Sequence, residues 1–176
     1  AIAGLTGVPD YFSDRLDTIK NIDWDNVDFI MWEYGTNDFA NGIELTDNVN
    51  PSNLYAFENA YKYAIETILT AHSNIRIITV TPIYRFWQVG GVFVDDSNTH
   101  EIEDYAGNDN KLTDFVEVAE TVSKSYQIPC IDDYYTLGAN QFTRLSFFDA
   151  TDGTHPNAEG RSRIAEHIAA QLQALI

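Results

Sequence analysis

The sequence predicts an α/β protein in which helices flank a parallel sheet, because strand-like apolar runs alternate along the chain with amphipathic helical segments. Two runs, residues 27–35 and 75–84, are almost continuously apolar and rich in β-branched or aromatic side chains, which is typical of strands covered on both faces. A weaker third run lies at residues 128–135. The 176 residues contain neither an internal repeat nor a linker, so residues 1–176 are predicted to form a single domain.

Three segments carry apolar residues at three- and four-residue steps, and this spacing predicts amphipathic helices. The first covers residues 53–71, after a start at Pro51–Ser52, and the second covers residues 111–126. The third follows Pro156 and Asn157 and continues toward the end of the chain. Asn157 is predicted to be its N-cap, since a short side-chain carbonyl can accept a hydrogen bond from the first amides of a helix.

Residues 85–110 fit neither periodicity and are long for a connection in a compact domain, which predicts a functional or a mobile loop. The loop follows the carboxyl end of a strand, where parallel sheets bind their ligands. We expect a flap on the substrate side, with a small hairpin inside WQVGGVFVDD (87–96) and the aromatic residues Phe86, Trp87 and Phe93 available to an acyl chain or a sugar ring.

Composition disfavours several classes of partner. The formal net charge of −17 argues against binding to nucleic acid or to an anionic membrane. Because the acidic residues are scattered, pairs such as Asp95–Asp96 and Asp132–Asp133 are predicted to be solvated surface. No apolar stretch approaches the roughly 20 residues that a membrane span needs. The single cysteine, Cys130, lies in an apolar-flanked run and is predicted to be a buried thiol rather than a nucleophile.

Asn37 is the first candidate for chemistry, because it follows the run 27–35 in the sequence EYGTNDF. One interpretation is an ordinary turn, since glycine, asparagine and aspartate are the residues that turns use. The other is functional: after a tight exit at Gly35, the side-chain amide of Asn37 could donate a hydrogen bond to a developing oxyanion.

Asp152 and His155 stand three residues apart in a glycine-containing turn just before the last helix. A carboxylate at this spacing can accept the Nδ1–H of the imidazole, which fixes the tautomer and leaves Nε2 available as a base. A turn with a helix cap is the structural alternative, and a metal site is a further one that lacks a second histidine or cysteine at convincing spacing. The other histidines, His72, His100 and His167, are predicted to be structural or solvated.

The first residues, AIAGLTG, form a small-residue turn before a helical segment, where the backbone N–H of Gly4 or Gly7 could face an anion. Together with YGTND (34–38) and DGTHP (152–156), the segment AGLTG (3–7) resembles the ordered blocks of the SGNH, or GDSL-type, hydrolase family of esterases and acylhydrolases. The order of the blocks and the strand or helix beside each also match.

That resemblance implies a three-layer, flavodoxin-like fold and an esterase site without a metal or cofactor. It assigns Asn37 and the Gly4 backbone N–H as oxyanion donors, with Gly4 preferred over Gly7. It assigns His155 as the base and Asp152 as the group that orients His155. The implied substrate is an acyl or acetyl ester of a small molecule or a carbohydrate.

The family's nucleophile is a serine in a Gly-Asp-Ser block after the first strand, and this chain has no such block. Ser13, Ser52 and Ser146 all lie in the wrong context. We therefore expect the serine, the first strand and an edge strand to lie upstream of Ala1. Three explanations stay open: a trimmed chain, a partner that supplies the serine, or a noncatalytic relative that serves as a binding domain, for example for a glycan. The strand at 27–35 is expected to expose an edge to the missing N-terminal segment or to a second copy.

Overall fold

The computed structural model describes residues 21–86, 88–89, 92–93, 110–151 and 153–175. After a 3₁₀ turn at Trp24–Asn26, the elements follow in chain order: β1 (Phe29–Glu33), α1 (Thr36–Ala40), α2 (Phe57–Ala71), β2 (Arg76–Val80), β3 (Gln88–Val89), β4 (Val92–Phe93), α3 (Leu112–Ser125), β5 (Cys130–Ile131), α4 (Asp133–Thr136), α5 (Arg144–Phe147) and α6 (Ala158–Leu175).

The main sheet is parallel and has the order β1-β2-β5 in the described residues. Five residue pairs join β1 to β2, from Phe29↔Arg76 to Glu33↔Val80, and two pairs join β2 to β5. The predicted parallel sheet is therefore confirmed, and its three strands are the three apolar runs. All three carboxyl ends meet at the same edge, which is where the loops that carry Asn37 and Arg85 begin.

Helices cover both faces of this sheet. Helices α2 and α3 pack on one face, where their buried residues form a core with Trp32 and Ile77. On the opposite face Ile168 of α6 packs against Ile78, Val80 and Ile131. This arrangement is the three-layer α/β architecture that the sequence predicted.

Strands β1 and β2 differ in how far neighbouring elements bury their side chains. In β2 every residue from Ile77 to Val80 is buried, as its continuous apolar sequence predicts. In β1 Trp32 is buried, but Phe29 is 36% and Met31 47% exposed. The expectation that both strands are covered on both faces therefore holds for β2 and does not hold for β1.

Helix α2 begins at Phe57, four residues later than the predicted start at residue 53. The delay has a local cause in side-chain hydrogen bonds that hold the preceding residues in turns. Asp47 Oδ1 accepts from the amides of Val49 and Asn50, and Asn53 Oδ1 accepts from the amide of Tyr55. Asparagine and aspartate often compete with helix formation in this way.

The third strand is shorter than the predicted run 128–135, because Asp132 ends it and caps a short helix. The Asp132 carboxylate accepts a hydrogen bond from the amide of Tyr135 at 2.9 Å, so the chain turns into α4 directly after β5. Cys130 in β5 is half-buried, and burial raises the pKa of its thiol. A raised pKa disfavours the thiolate at neutral pH, which agrees with the prediction that Cys130 is not a nucleophile.

The predicted hairpin is present, since β3 and β4 pair antiparallel through Gln88↔Phe93 and Val89↔Val92. The remainder of the predicted flap, including Trp87, lies outside the described residues. The expectation that Phe86 faces the substrate is wrong. Phe86 is fully buried and packs edge-on against Phe148 at 5.5 Å between ring centroids. In the described parts of the chain, no helix is both long and apolar enough to cross a bilayer.

The prediction that Asp132 and Asp133 are both solvated is wrong for Asp133, whose side chain is fully buried between β5 and α6. His167 Nε2 lies 3.4 Å from Asp133 Oδ1, and no described residue donates a hydrogen bond to either carboxylate oxygen. Loss of hydration raises the pKa of Asp133 to about 7, and the negative charges of Glu33 and Asp132 add to the increase. The other pair, Asp95–Asp96, lies outside the described residues.

The raised pKa of Asp133 predicts that this residue destabilises the fold progressively between about pH 4 and pH 7. In that window the unfolded chain has lost the proton and the folded chain has kept it, so rising pH favours unfolding. We expect Asp133→Asn to increase the free energy of unfolding by about 2 kcal/mol more at pH 8 than at pH 5.5. Urea denaturation of both proteins at the two pH values measures this difference.

The exposed aspartate Asp28 offers a matched control, since Asp28→Asn also removes one carboxylate from this acidic chain. A gain for Asp133→Asn that is no larger at pH 8 than at pH 5.5 would contradict the prediction.

Candidate active site

Asn37 lies in the first turn of α1, four residues beyond the carboxyl end of β1. Gly35 makes the sharp exit from the strand possible, because its φ of +124° is one that residues with a side chain rarely adopt. A Cβ at this position would also stand 2.8 Å from Pro82 Cγ. The predicted tight exit at Gly35 is therefore confirmed, and it places Asn37 at the edge of the sheet.

The Asn37 side chain is exposed, and no described residue hydrogen-bonds to its amide. Its backbone carbonyl accepts from the amide of Asn41 at 3.0 Å and from Asn41 Nδ2 at 2.7 Å. The backbone of Asn37 is thus held in place while its side-chain donor faces solvent. A fixed backbone is expected both of a turn residue and of an oxyanion donor. A side-chain amide that faces solvent is what an oxyanion donor needs.

His155 is exposed in a loop that closes on itself just before α6. The amide of Asp149 donates to the His155 carbonyl at 2.8 Å, and the amide of Gly153 donates to the Asp149 carbonyl at 2.8 Å. A bridge between Phe148 and Pro156 joins the two ends of the loop. These bonds fix the backbone on either side of the imidazole.

The first turn of helix α6 holds the same loop in place. Asn157 Oδ1 accepts from the amide of Gly160 at 2.9 Å, which confirms Asn157 as the predicted N-cap. Gly160 allows this first turn to lie directly on α5, because a Cβ at Gly160 would stand 2.0 Å from the Phe147 carbonyl oxygen. Asn157 Nδ2 also donates to the Phe148 carbonyl at 3.0 Å. The start of α6 and the histidine loop therefore form one hydrogen-bonded unit.

Arg85 and Phe86, which follow β2, contact two segments: residues 34–41, which carry Asn37 and are called the Asn37 loop, and residues 148–156, which carry His155 and are called the His155 loop. Arg85 Nη1 donates to the Thr36 carbonyl at 2.9 Å and to Thr36 Oγ1 at 3.1 Å. The amide of Phe86 donates to the Gly153 carbonyl at 3.0 Å, and Thr154 Oγ1 donates to the Phe86 carbonyl at 2.8 Å. The two loops with the predicted site residues are thus bound to consecutive residues of one segment.

Sequence reasoning missed Arg85, because it assigned residue 85 to the start of an irregular loop. A signal was present. Arg85 is one of only ten lysine and arginine residues in the chain, and it directly follows the apolar run 75–84. An arginine in that position, 4% exposed in the structure, needs buried acceptors.

Two of the four predicted site residues, Gly4 and Asp152, lie outside the described residues. Their roles as oxyanion donor and orienting carboxylate therefore stay predictions. Of the remaining histidines, His72 ends α2 and stacks on Trp24 at 4.4 Å between ring centroids, and His167 packs against Asp133. Both have the structural roles that the sequence suggested, and His100 lies outside the described residues.

None of the serines in the described residues lies at the carboxyl end of a strand. Ser123 is buried in α3 against Thr79, and Ser146 lies in α5. The others are in turns or helices: Ser52, Ser73, Ser125 and Ser162. In the part of the chain that the structure describes, no three histidine, cysteine, aspartate or glutamate side chains gather as a metal ion would require.

A model of the GDSL-like lipase/acylhydrolase family matches residues 1–163. No curated protein matches the chain in a sequence search.

Several solved structures share the fold. A protein from Lactobacillus plantarum is 16% identical with a TM-score of 0.70, and the match covers 92% of this chain and 73% of that one. The lipase/acylhydrolase from Enterococcus faecalis is 20% identical with a TM-score of 0.57, and the match covers 92% and 70%. A peptidoglycan O-acetylesterase is 17% identical with a TM-score of 0.60, and the match covers 92% of this chain and 41% of that one.

The family model spans most of the chain, and the solved neighbours have the same layered α/β fold. This chain belongs to the GDSL-like lipase/acylhydrolase family, a family of ester-hydrolysing enzymes.

Proposed function

We propose that this chain carries the base and the oxyanion donor of a serine esterase that removes an acyl or acetyl group from a small ester or a carbohydrate. One observation carries the proposal: the Asn37 and His155 loops are bound to consecutive residues, Arg85 and Phe86, at the carboxyl edge of the sheet. Both side chains are exposed there, where a substrate can reach them.

The proposed reaction proceeds through an acyl-enzyme. The serine hydroxyl attacks the ester carbonyl while His155 Nε2 takes its proton, and the alcohol leaves with that proton. The Asn37 amide and the Gly4 backbone N–H stabilise the oxyanion that forms in this step. His155 then removes a proton from water, which attacks the acyl group and releases the acid. Asp152 holds His155 in the tautomer that leaves Nε2 available.

The proposed substrate is a neutral acyl or acetyl ester on a small molecule or a carbohydrate. A net charge of −17 disfavours polyanionic substrates, since a negative surface repels them. One neighbour of the same fold is a peptidoglycan O-acetylesterase, which makes a carbohydrate O-acetyl ester a reasonable first choice for assays.

We place the nucleophilic serine upstream of Ala1. The described serines support this placement, because none of them follows a strand at the edge where Asn37 and His155 lie. Ser13 and Ser97 lie outside the described residues and are the alternatives within this chain.

The open side of β1 is the proposed contact surface for that upstream segment or for a second copy of the chain. Among the described residues β1 pairs on one side only. Its exposed Met31 and Glu33 line a groove of about 450 Å³ together with Ile164, Ile168 and Leu172 of α6. Exposed strand edges beside an apolar surface are usually covered in stable proteins.

Replacement of the proposed oxyanion donor is expected to slow chemistry without weakening substrate binding. In the protein as encoded by its gene, Asn37→Ala should lower kcat by about 10²–10³ with little change in KM, because the amide is used mainly in the transition state. Steady-state hydrolysis of p-nitrophenyl acetate measures both constants. Asn74→Ala is the control, because Asn74 is exposed beside the amino end of β2, on the opposite edge of the sheet. A raised KM with unchanged kcat in Asn37→Ala would identify Asn37 as a substrate-binding or turn residue.

Replacement of the proposed base is expected to abolish turnover. His155→Ala should remove activity because no other group accepts the serine proton, while His72→Ala, which removes a ring stacked on Trp24, should retain it. In the unmodified protein, chelators should leave kcat/KM unchanged, because the proposed reaction uses a serine and a histidine and no metal ion. Loss of activity on chelation, or equal activity of the two variants, would reject His155 as the base.

A further inference from the structure

We propose that Arg85 is a positioning residue for the reaction and that Arg85 and Phe86 together set the spacing between the oxyanion donor and the base. The guanidinium of Arg85 fixes Thr36, which directly precedes Asn37. The backbone of Phe86 fixes Gly153 and Thr154, which directly precede His155. The inference rests on the proposed function and names a further residue of the same site.

Burial makes the first of these connections rigid. Arg85 is 4% exposed, and one of its nitrogens donates to two oxygens of the same residue, the carbonyl and the Oγ1 of Thr36. Its guanidinium carbon also lies 5.7 Å from the centre of the Phe39 ring in α1. A planar guanidinium with several contacts to one helix turn holds that turn more firmly than a single-point donor could. Thr36 and Asn37 are consecutive residues of α1, so the same contacts orient the Asn37 backbone.

The second connection is made by the backbone of Phe86, whose residue is fully buried. Phe86 donates to the Gly153 carbonyl and accepts from Thr154 Oγ1, while its fully buried ring packs against Tyr84 and Phe148. Phe148 is itself bridged to Pro156, on the far side of His155. Displacement of Phe86 would therefore move both ends of the histidine loop.

The consequence is that two loops from distant parts of the sequence share one support. An acyl-transfer site needs its base and its oxyanion donors at fixed positions relative to the same carbonyl group, and small misplacements cost large factors in rate. Arg85 and Phe86 are adjacent in sequence, so one short segment after β2 carries both contacts: the buried Arg85 guanidinium on Thr36 and the Phe86 backbone on Gly153 and Thr154. Arg85 touches no reacting atom in this arrangement and acts through Thr36 and Asn37.

The first test is a double-mutant cycle with p-nitrophenyl acetate, in the protein as encoded by its gene. We expect Arg85→Met to lower kcat about 100-fold and Arg85→Lys about 10-fold, with KM changed less than about 3-fold, because the loss cannot exceed that of the Asn37 amide itself. In an Asn37→Ala background the same substitutions should lower kcat less than about 3-fold. Arg163→Met is the matched control, since Arg163 also lies over an aromatic ring, Phe147, but on the surface of α6.

The outcomes separate this inference from the proposed function. Equal losses in both backgrounds would show that Arg85 supports the fold generally, and they would overturn the inference while leaving the esterase proposal intact. An Asn37→Ala variant with unchanged kcat would overturn both.

A second test does not depend on activity. Hydrogen exchange should become at least tenfold faster in Arg85→Lys at the amides of Phe39 and Asn41, which lie in the turn that the guanidinium holds, and should change less than about threefold at the amides of Phe86 and Gly153, which the Phe86 backbone holds. Arg163→Met should leave all four amides unchanged. Unchanged exchange at Phe39 and Asn41 would contradict the role given to Arg85, and equally faster exchange at all four amides would indicate general loss of stability instead. Arg85→Lys keeps a cation in place so that the fold survives the measurement.

Discussion

The structure depends on β2 being covered on both faces. Thr79 faces α3, where its hydroxyl lies 2.8 Å from that of Ser123, while Ile78 and Val80 face α6. A parallel strand with no solvent-facing side requires a helix layer above and below it, and the crossover connections supply these layers. Every other element is placed relative to this strand: β1 and β5 pair with it, and the helices pack over it.

Strand β2 also fixes the positions of the site residues. The pairing of β1 with β2 over five residues fixes the point at which the chain leaves β1 through Gly35 and reaches Asn37. The packing of Ile168 over β2 fixes α6, whose first turn begins three residues after His155. The continuation of β2 itself leads to Arg85 and Phe86, which bind both loops. A strand, its neighbour and a helix on its far face thus bring together residues that are more than a hundred positions apart in sequence.

The parts that sequence reasoning predicted correctly are those with a local physical signal. The apolar run at 75–84 contains β2, the spacing at 111–126 contains α3, and Asn157 caps α6, because burial, periodicity and capping are each encoded within a few residues. The start of α2 was predicted too early because the hydrogen bonds of Asp47 and Asn53 hold turns that compete with the helix. The burial of Asp133 could not be predicted, since the residue is covered by α6, which lies more than twenty positions further along the chain.

The same reasoning explains what could be predicted of the site. Asn37 and His155 were found because each lies in a short block with a turn-forming neighbour, whereas Arg85 lies in no such block and is recognised only from its contacts. The face of β1 that carries Phe29 and Met31 was expected to be covered, and it is exposed. The apolar sequence of β1 is typical of a strand that is buried on both faces. This is the physical basis for proposing that another segment packs on the exposed face.

The central claim is that Asn37 and His155 serve a serine that lies outside the described residues. The most direct measurement is reaction of the protein as encoded by its gene with a fluorophosphonate, followed by peptide mapping of the adduct. We expect one stoichiometric adduct, on a serine outside the described residues, which is absent in His155→Ala and retained in His72→Ala. An adduct on Ser146 or on any other described serine, or labelling that survives loss of His155, would contradict it.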